Sequence, residues 1–160
     1  MAINGLGNFS KKLLSSLKVY QVHSATLETE VLENKDVLNE LARLKKEYNL
    51  KIVITTTGTN QTEVIEKALN VLVDGKSIFD IFQVTYNFLE QSLLEISGKL
   101  INQNKSIVIK EALANGRIFR NLNYRHYNKI YNYLEHLAEK HTVGVDAIAL
   151  TNKAKSLTGI

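Results

Sequence analysis

The sequence predicts an α/β fold of four consecutive parallel βα units, and three observations carry that reading. Short β-branched or aromatic runs begin near Lys18, Leu50, Phe79 and Ile107, roughly every 28 to 32 residues. Helically spaced apolar residues separate them, and a further helical pattern follows the fourth run. Glycine, asparagine and threonine do the punctuating, because proline is absent. Such alternation is what successive βαβ units with right-handed crossovers produce. Both an open doubly wound sheet and part of an eight-stranded β/α barrel fit this order.

At 160 residues the chain suits one domain, 1–160, able to bury a substantial core. An apolar content of 44% argues against disorder. No apolar run approaches the roughly 20 residues of a membrane helix, so a soluble, cytoplasmic protein without membrane contact is expected, with a plastid or other organelle left open. Cysteine is absent, which excludes disulfides and thiolate metal sites. The charge of +4 is uneven. From Lys105 onward nine basic residues face four acidic ones, a balance of +5. A basic end can meet nucleic acid or cofactor phosphates. No stacking platform or recognition motif accompanies it in the sequence, so no nucleic-acid partner is expected.

Met1 to Asn8 holds Gly5 and Gly7 without periodicity and reads as a frayed terminus. Phe9, Leu13, Leu14 and Leu17 suggest a short helix. Three lysines precede the first acidic residue, Glu28, as in a transit peptide, but the strand starting at Lys18 leaves little room for one. Lys18 to Ser24 is the first strand and closes near His23, which could donate a hydrogen bond to a carbonyl or shuttle a proton. A lone histidine is more often structural. Leu38, Leu41, Leu44 and Tyr48 share one face of a helix over Leu32 to Tyr48, ended by Asn49.

The second strand, Leu50 to Ile54, closes in Thr55-Thr56-Thr57-Gly58, whose hydroxyls could hold an amide or phosphate, or cap the next helix. That helix spans about Thr62 to Val73 and turns at Asp74-Gly75. Phe79 to Thr85 is the third strand. Gln83 within it needs partners, either a ligand or an internal network. A helix over Leu89 to Asn102 leads to the fourth strand, in Lys105 to Arg117, KSIVIKEALANGR. Its apolar run ends abruptly in Lys110 and Glu111, and in parallel sheets chemistry gathers where strands end. An irregular polar passage runs to Asn123. Tyr127, Ile130, Leu134, Leu137 and His141 mark another helix, and Val145 to Lys155 a terminal one.

Several chemistries lack their motifs. No GxGxxG or GxxxxGK[ST] follows the first strand, and no GxSxG elbow occurs. His126, His136 and His141 lack the spacing of a helical metal pair, so no metal site is expected.

Four stretches in order, VYQVHSATLE (Val19 to Glu28), FQVTYNFLEQS (Phe82 to Ser92), IVIKEALANGR (Ile107 to Arg117) and LAEKHTVGVDAIAL (Leu137 to Leu150), together resemble the aldo/keto reductase family. The resemblance spans nearly all of the chain beyond the first dozen residues. It implies an incomplete (β/α)8 TIM-type barrel, with these strands standing as strands four to seven of an NADPH-dependent reductase of carbonyl substrates. His23 then matches the histidine that orients the substrate carbonyl. Thr55 and Thr56 stand where the family usually has Ser-Asn holding the nicotinamide carboxamide, and Gln83 matches a glutamine sharing that task. Lys110 replaces the aromatic residue that stacks on the nicotinamide, while Glu111 and Leu113 lie where the chain approaches the diphosphate.

The family's tyrosine acid, tuned by lysine and aspartate, and its clamp for the adenosine phosphate have no counterpart in this sequence. The resemblance therefore implies a cofactor site without full chemistry, inactive unless another chain supplies the rest. The alternative is a non-catalytic remnant acting as a binding or interaction module. Val19, Val22, Ile52, Ile54, Phe82, Val84, Ile107 and Ile109 are expected to face the missing half of the barrel. Self-association, or pairing with a complementary half-barrel, is expected to follow.

Overall fold

The computed structural model describes residues 16–58 and 60–158, with side chains up to residue 151. Met1 to Asn8 and all but the end of the expected first helix lie outside the described residues. In chain order the elements are β1 (Val19–Ala25), α1 (Lys35–Tyr48), β2 (Lys51–Thr56) and α2 (Gln61–Asn70). A small hairpin, β3 (Leu72–Val73) and β4 (Lys76–Ser77), precedes β5 (Ile81–Thr85), α3 (Leu93–Asn102) and β6 (Ser106–Lys110). Two short 3-10 segments, Ala114–Gly116 and Leu122–Tyr127, lead into α4 (Asn128–His141) and α5 (Val145–Thr158). Strands β1, β2, β5 and β6 form one parallel sheet in that order, as the spacing of the apolar runs predicts.

The register decides which face is which. Tyr20 pairs with Ile52, Ile54 with Phe82, and Val84 with Ile109. These rows pack with Leu41 and Leu44 of α1, Val64 and Ile65 of α2, and Leu93 and Ile96 of α3 in one core. All three helices therefore cover a single face of the sheet. This corrects the expected inward set. Val22, Ile52, Ile54, Phe82, Val84, Ile107 and Ile109 face the helices, and of the eight only Val19 shares the opposite face with Gln21. The opposite face is mixed, with Gln21, Thr55 and Gln83 among Val53, Ile81 and Val108. The reason is strand alternation: both sides of each strand carry apolar residues, and a period of two does not say which side meets the helices.

Helix boundaries follow their capping chemistry. Asn34 accepts a hydrogen bond from the Val37 amide at 3.1 Å, so α1 starts at Lys35 rather than Leu32. Asn49, left-handed at φ 52°, ends it. Asn34→Ala is expected to cost about 1 kcal/mol, read as a lower urea midpoint at unchanged slope. Helix α2 stops at Asn70, three residues before the expected end. Leu72–Val73 instead pairs with Lys76–Ser77 around Asp74-Gly75, both at positive φ, the backbone that tight two-residue hairpins require.

At the amino-terminal edge of the sheet, Asp80 gathers the polar groups. Its carboxylate accepts from the Ile52 amide at 2.9 Å and pairs with Lys45 at 2.9 Å and Lys51 at 3.8 Å. Lys105 donates to Ser77 Oγ and the Phe79 carbonyl. Burial lowers its pKa, opposed by Asp80 and abetted by Lys45 and Lys51. Asp80→Ala removes the one carboxylate of this group and an acceptor for a backbone amide. A loss of about 2–3 kcal/mol is expected, measured by thermal unfolding. Beyond the sheet, Ala114, Ile118, Leu134, Ala138, Ile148 and Ala149 form a second core that docks α4 and α5.

Candidate functional site

Because the four strands run parallel, their carboxyl ends share one edge, and the polar residues of the helix-free face collect toward it. Thr55 lies beside Gln83 in register, Gln83 beside Val108, and Thr85 beside Lys110. Gln21 Nε2 donates to Thr55 Oγ1 at 2.6 Å and to Gln83 Oε1 at 2.9 Å. The Thr55 hydroxyl in turn donates to Gln83 Oε1 at 2.9 Å. Three strands are thus tied across their faces by side-chain amides and a hydroxyl. Thr55 is only 1% exposed, whereas Gln21 is open to solvent.

His23 stands two residues beyond Gln21, exposed, with Nδ1 2.8 Å from Ser24 Oγ. The strand is irregular here. Its register shifts between Val22 and Ala25, and Ser24 takes a φ of 54°. Such bulges re-aim side chains at strand ends. When the Ser24 hydroxyl donates to Nδ1, Nε2 carries the ring proton and is a donor.

The remaining sequence-predicted residues divide. Thr56 is fully buried with the parity of Ile54, toward the helix layer, and its Oγ1 has no hydrogen-bond partner. Lys110 closes β6 and Glu111 follows it at φ 55°. Glu111 lies 3.8 Å from Arg117, whose Nε donates to the Ala114 carbonyl at 2.9 Å. Leu113 packs against the second core rather than on the sheet face. Asn115 and Gly116 both take positive φ, which explains the Asn-Gly pair in this turn.

A cleft of about 390 Å³ opens at the same edge, between Gly58, Thr85, Asn87, Glu111, Arg117 and Tyr127 among others. Asn87 lines it, and Gln61 fixes Thr85 of its wall; neither has a signal in the sequence beyond being an amide near a strand end. Gln61, fully buried at the start of α2, donates through Nε2 to the Thr85 carbonyl at 2.8 Å and to Ser92 Oγ at 3.0 Å. Its Oε1 accepts from the Thr85 amide at 3.0 Å, so it clamps the last residue of β5. Asn87, 1% exposed, spends its Oδ1 on the Leu89 and Glu90 amides, while its Nδ2 is buried without a partner.

A nicotinamide carboxamide needs acceptors for its NH2 and a donor for its carbonyl. Gln21, Thr55 and Gln83 present both kinds of group, now spent on one another. The unpartnered Asn87 Nδ2 adds an unspent donor at the same edge. Lys110 and Arg117 are cations suited to phosphate. By donor chemistry the residues fit that cofactor. Among the described residues no acidic or histidine cluster could hold a metal ion. No described helix is long and apolar enough to cross a membrane.

No family model matches the chain, and neither a curated protein nor a solved structure does.

Proposed function

We propose that this chain supplies the nicotinamide-holding edge of an aldo/keto reductase-like β/α barrel, for NADPH-dependent reduction of carbonyl substrates. The observation that carries this reading is the Gln21–Thr55–Gln83 array, with His23 and Lys110 on the carboxyl-terminal parts of the flanking strands. Four parallel strands in chain order, with helices on one face, are also what consecutive barrel units require.

Each residue then has a task. Thr55 and Gln83 would exchange their bond to each other for bonds to the carboxamide and so fix the orientation of the ring. Gln21 would hold Gln83 in place from the neighbouring strand. His23, with Ser24 on its Nδ1, would donate from Nε2 to the substrate carbonyl oxygen. Lys110 and Arg117 would meet the phosphates. NADPH when bound supplies the hydride delivered to the carbonyl carbon. The resulting alkoxide needs a proton, and no tyrosine of the strands is placed to give it: Tyr20 packs with the helix-side core and Tyr86 is buried, while Tyr127 lines the adjoining cleft from the 3-10 segment and not the face that carries Gln21, Thr55 and Gln83. Turnover by this chain alone is therefore expected to be negligible. The unpaired outer edges of β1 and β6 in the described sheet support the companion reading, that catalysis requires a second barrel half.

The test is a titration of NADPH fluorescence with the purified chain, followed by addition of an aldehyde. Weak binding, reduced about tenfold or more by Gln83→Leu through loss of a half-buried polar partner, is the expected result. No aldehyde-dependent oxidation should follow. Absence of any NADPH binding would overturn the cofactor assignment. Aldehyde-dependent oxidation abolished by His23→Ala would overturn the need for a second half.

A further inference from the structure

Between Glu111 and Glu135 the chain carries no acidic residue, yet it carries Arg117, Arg120, Arg125 and Lys129, five phenylalanine or tyrosine rings and the imidazole of His126. The proposed reductase site uses only Arg117 from this stretch. In the sequence these rings have no evident arrangement. The fold gathers them. The 3-10 segment Leu122–Tyr127 brings Tyr124 to 6.2 Å from His126 and 6.3 Å from Tyr127, ring centre to ring centre, and His126 to 4.0 Å from Tyr127. Residues 121–126 are all exposed.

The cations of the segment are not equivalent. Arg120 is committed: it pairs with Glu135 at 2.6 Å, and its guanidinium stands 5.6 Å above the Tyr131 ring. Arg117 lies against Glu111. Arg125 and Lys129 are exposed and enter no ion pair among the described residues. Solvent-facing rings beside unpaired cations, in a stretch free of carboxylates, suit a polyanion with stackable planar faces. Asparagines at 121, 123 and 128 add amide donors and acceptors of the kind that bond base edges. They also interrupt any apolar stripe, which a membrane-surface helix would need.

We propose that the surface around Tyr124, Arg125, His126 and Lys129 binds single-stranded nucleic acid. Tyr124 and His126 stack on bases, and Arg125 and Lys129 meet phosphates. This goes beyond the reductase reading and is independent of it, because none of these four residues lines the cofactor edge. The sequence alone shows no stacking platform; the fold supplies one in the packed rings.

Fluorescence anisotropy of labelled oligouridine and oligodeoxythymidine, titrated with the full chain at low salt, tests the proposal. Both should bind if the contacts are to bases and phosphates alone, and oligouridine alone if the 2′-hydroxyl is read. Arg125→Glu with Lys129→Glu should weaken binding at least about tenfold and flatten the salt dependence by roughly 1.4 log units per log unit of salt, about 0.7 for each phosphate no longer neutralised. Tyr124→Ala should weaken it by about tenfold and Tyr124→Phe should restore it, which separates stacking from a folding defect. Saturating NADPH should leave binding unchanged. No binding to either oligonucleotide, binding indifferent to the charge reversals, or binding only to phosphatidylserine vesicles would overturn the proposal.

Discussion

Phe82→Ala is expected to destabilise the protein by about 3–5 kcal/mol, a large part of the roughly 5–15 kcal/mol that holds a domain together. Phe82 is fully buried at the centre of the sheet, in register with Ile54 on one side and Ile107 on the other. Phe79 meets its ring edge-on, with centroids 6.4 Å apart. The void left by alanine has sheet beneath it and helices above, so little around it can collapse to fill it. Val108→Ala, 44% exposed on the opposite face, is the matched control and should change stability by no more than about 0.5 kcal/mol. Urea unfolding of the two variants checks this. Equal midpoints would mean that the core does not lie between the sheet and helices α1 to α3.

The strand order was legible because apolar runs at regular spacing, separated by helical patterns, admit few connections, and right-handed crossovers make the pairs parallel. Which side of the sheet meets the helices was not. Around Ile52-Val53-Ile54 and Ile107-Val108-Ile109 the apolar run is continuous, so alternation gives no sign. Only the packing partners in α1, α2 and α3 decide it. The Asp74-Gly75 turn is legible from its residue types, but the two-residue strands flanking it are too short for periodicity to detect.

Within the candidate site, His23, Thr55, Gln83 and Lys110 stood out because each is polar in or at the end of an apolar run. Gln21 met the same criterion, yet its part in the array depends on reaching Thr55 and Gln83 across 34 and 62 residues of sequence. Gln61 carries no local signal, since the Thr85 backbone and Ser92 are brought to it by the fold, whereas Asn87 makes a local turn with the Leu89 and Glu90 amides that its residue type permits but does not announce. Thr56 illustrates the opposite error. Adjacency to Thr55 suggests a joint role, but neighbouring residues on a strand point to opposite faces.

The second large effect concerns assembly. The outer edges of β1 and β6 are unpaired in the described sheet, leaving two rows of backbone donors and acceptors. The helix-free face is polar at its centre, so burial of apolar surface does not drive association as strongly as the expected inward set implies. Backbone pairing remains as the driving contact. Four or five new hydrogen bonds at about 0.5–1.5 kcal/mol each amount to several kcal/mol per seam, before the cost of association. Ile81 and Val108 in the same face add a smaller apolar share. The purified 160-residue chain is therefore expected to scatter light as a species heavier than one chain at micromolar concentration. Val108→Lys, an exposed position in edge strand β6, should shift it toward one chain, because a charge on an edge strand opposes its burial beside a second strand. Light scattering across a dilution series, with circular dichroism to establish that the variant is folded, decides the matter. A monodisperse single chain at every concentration, with a cooperative thermal transition, would mean that the edges are covered from within the chain and that no second half is sought.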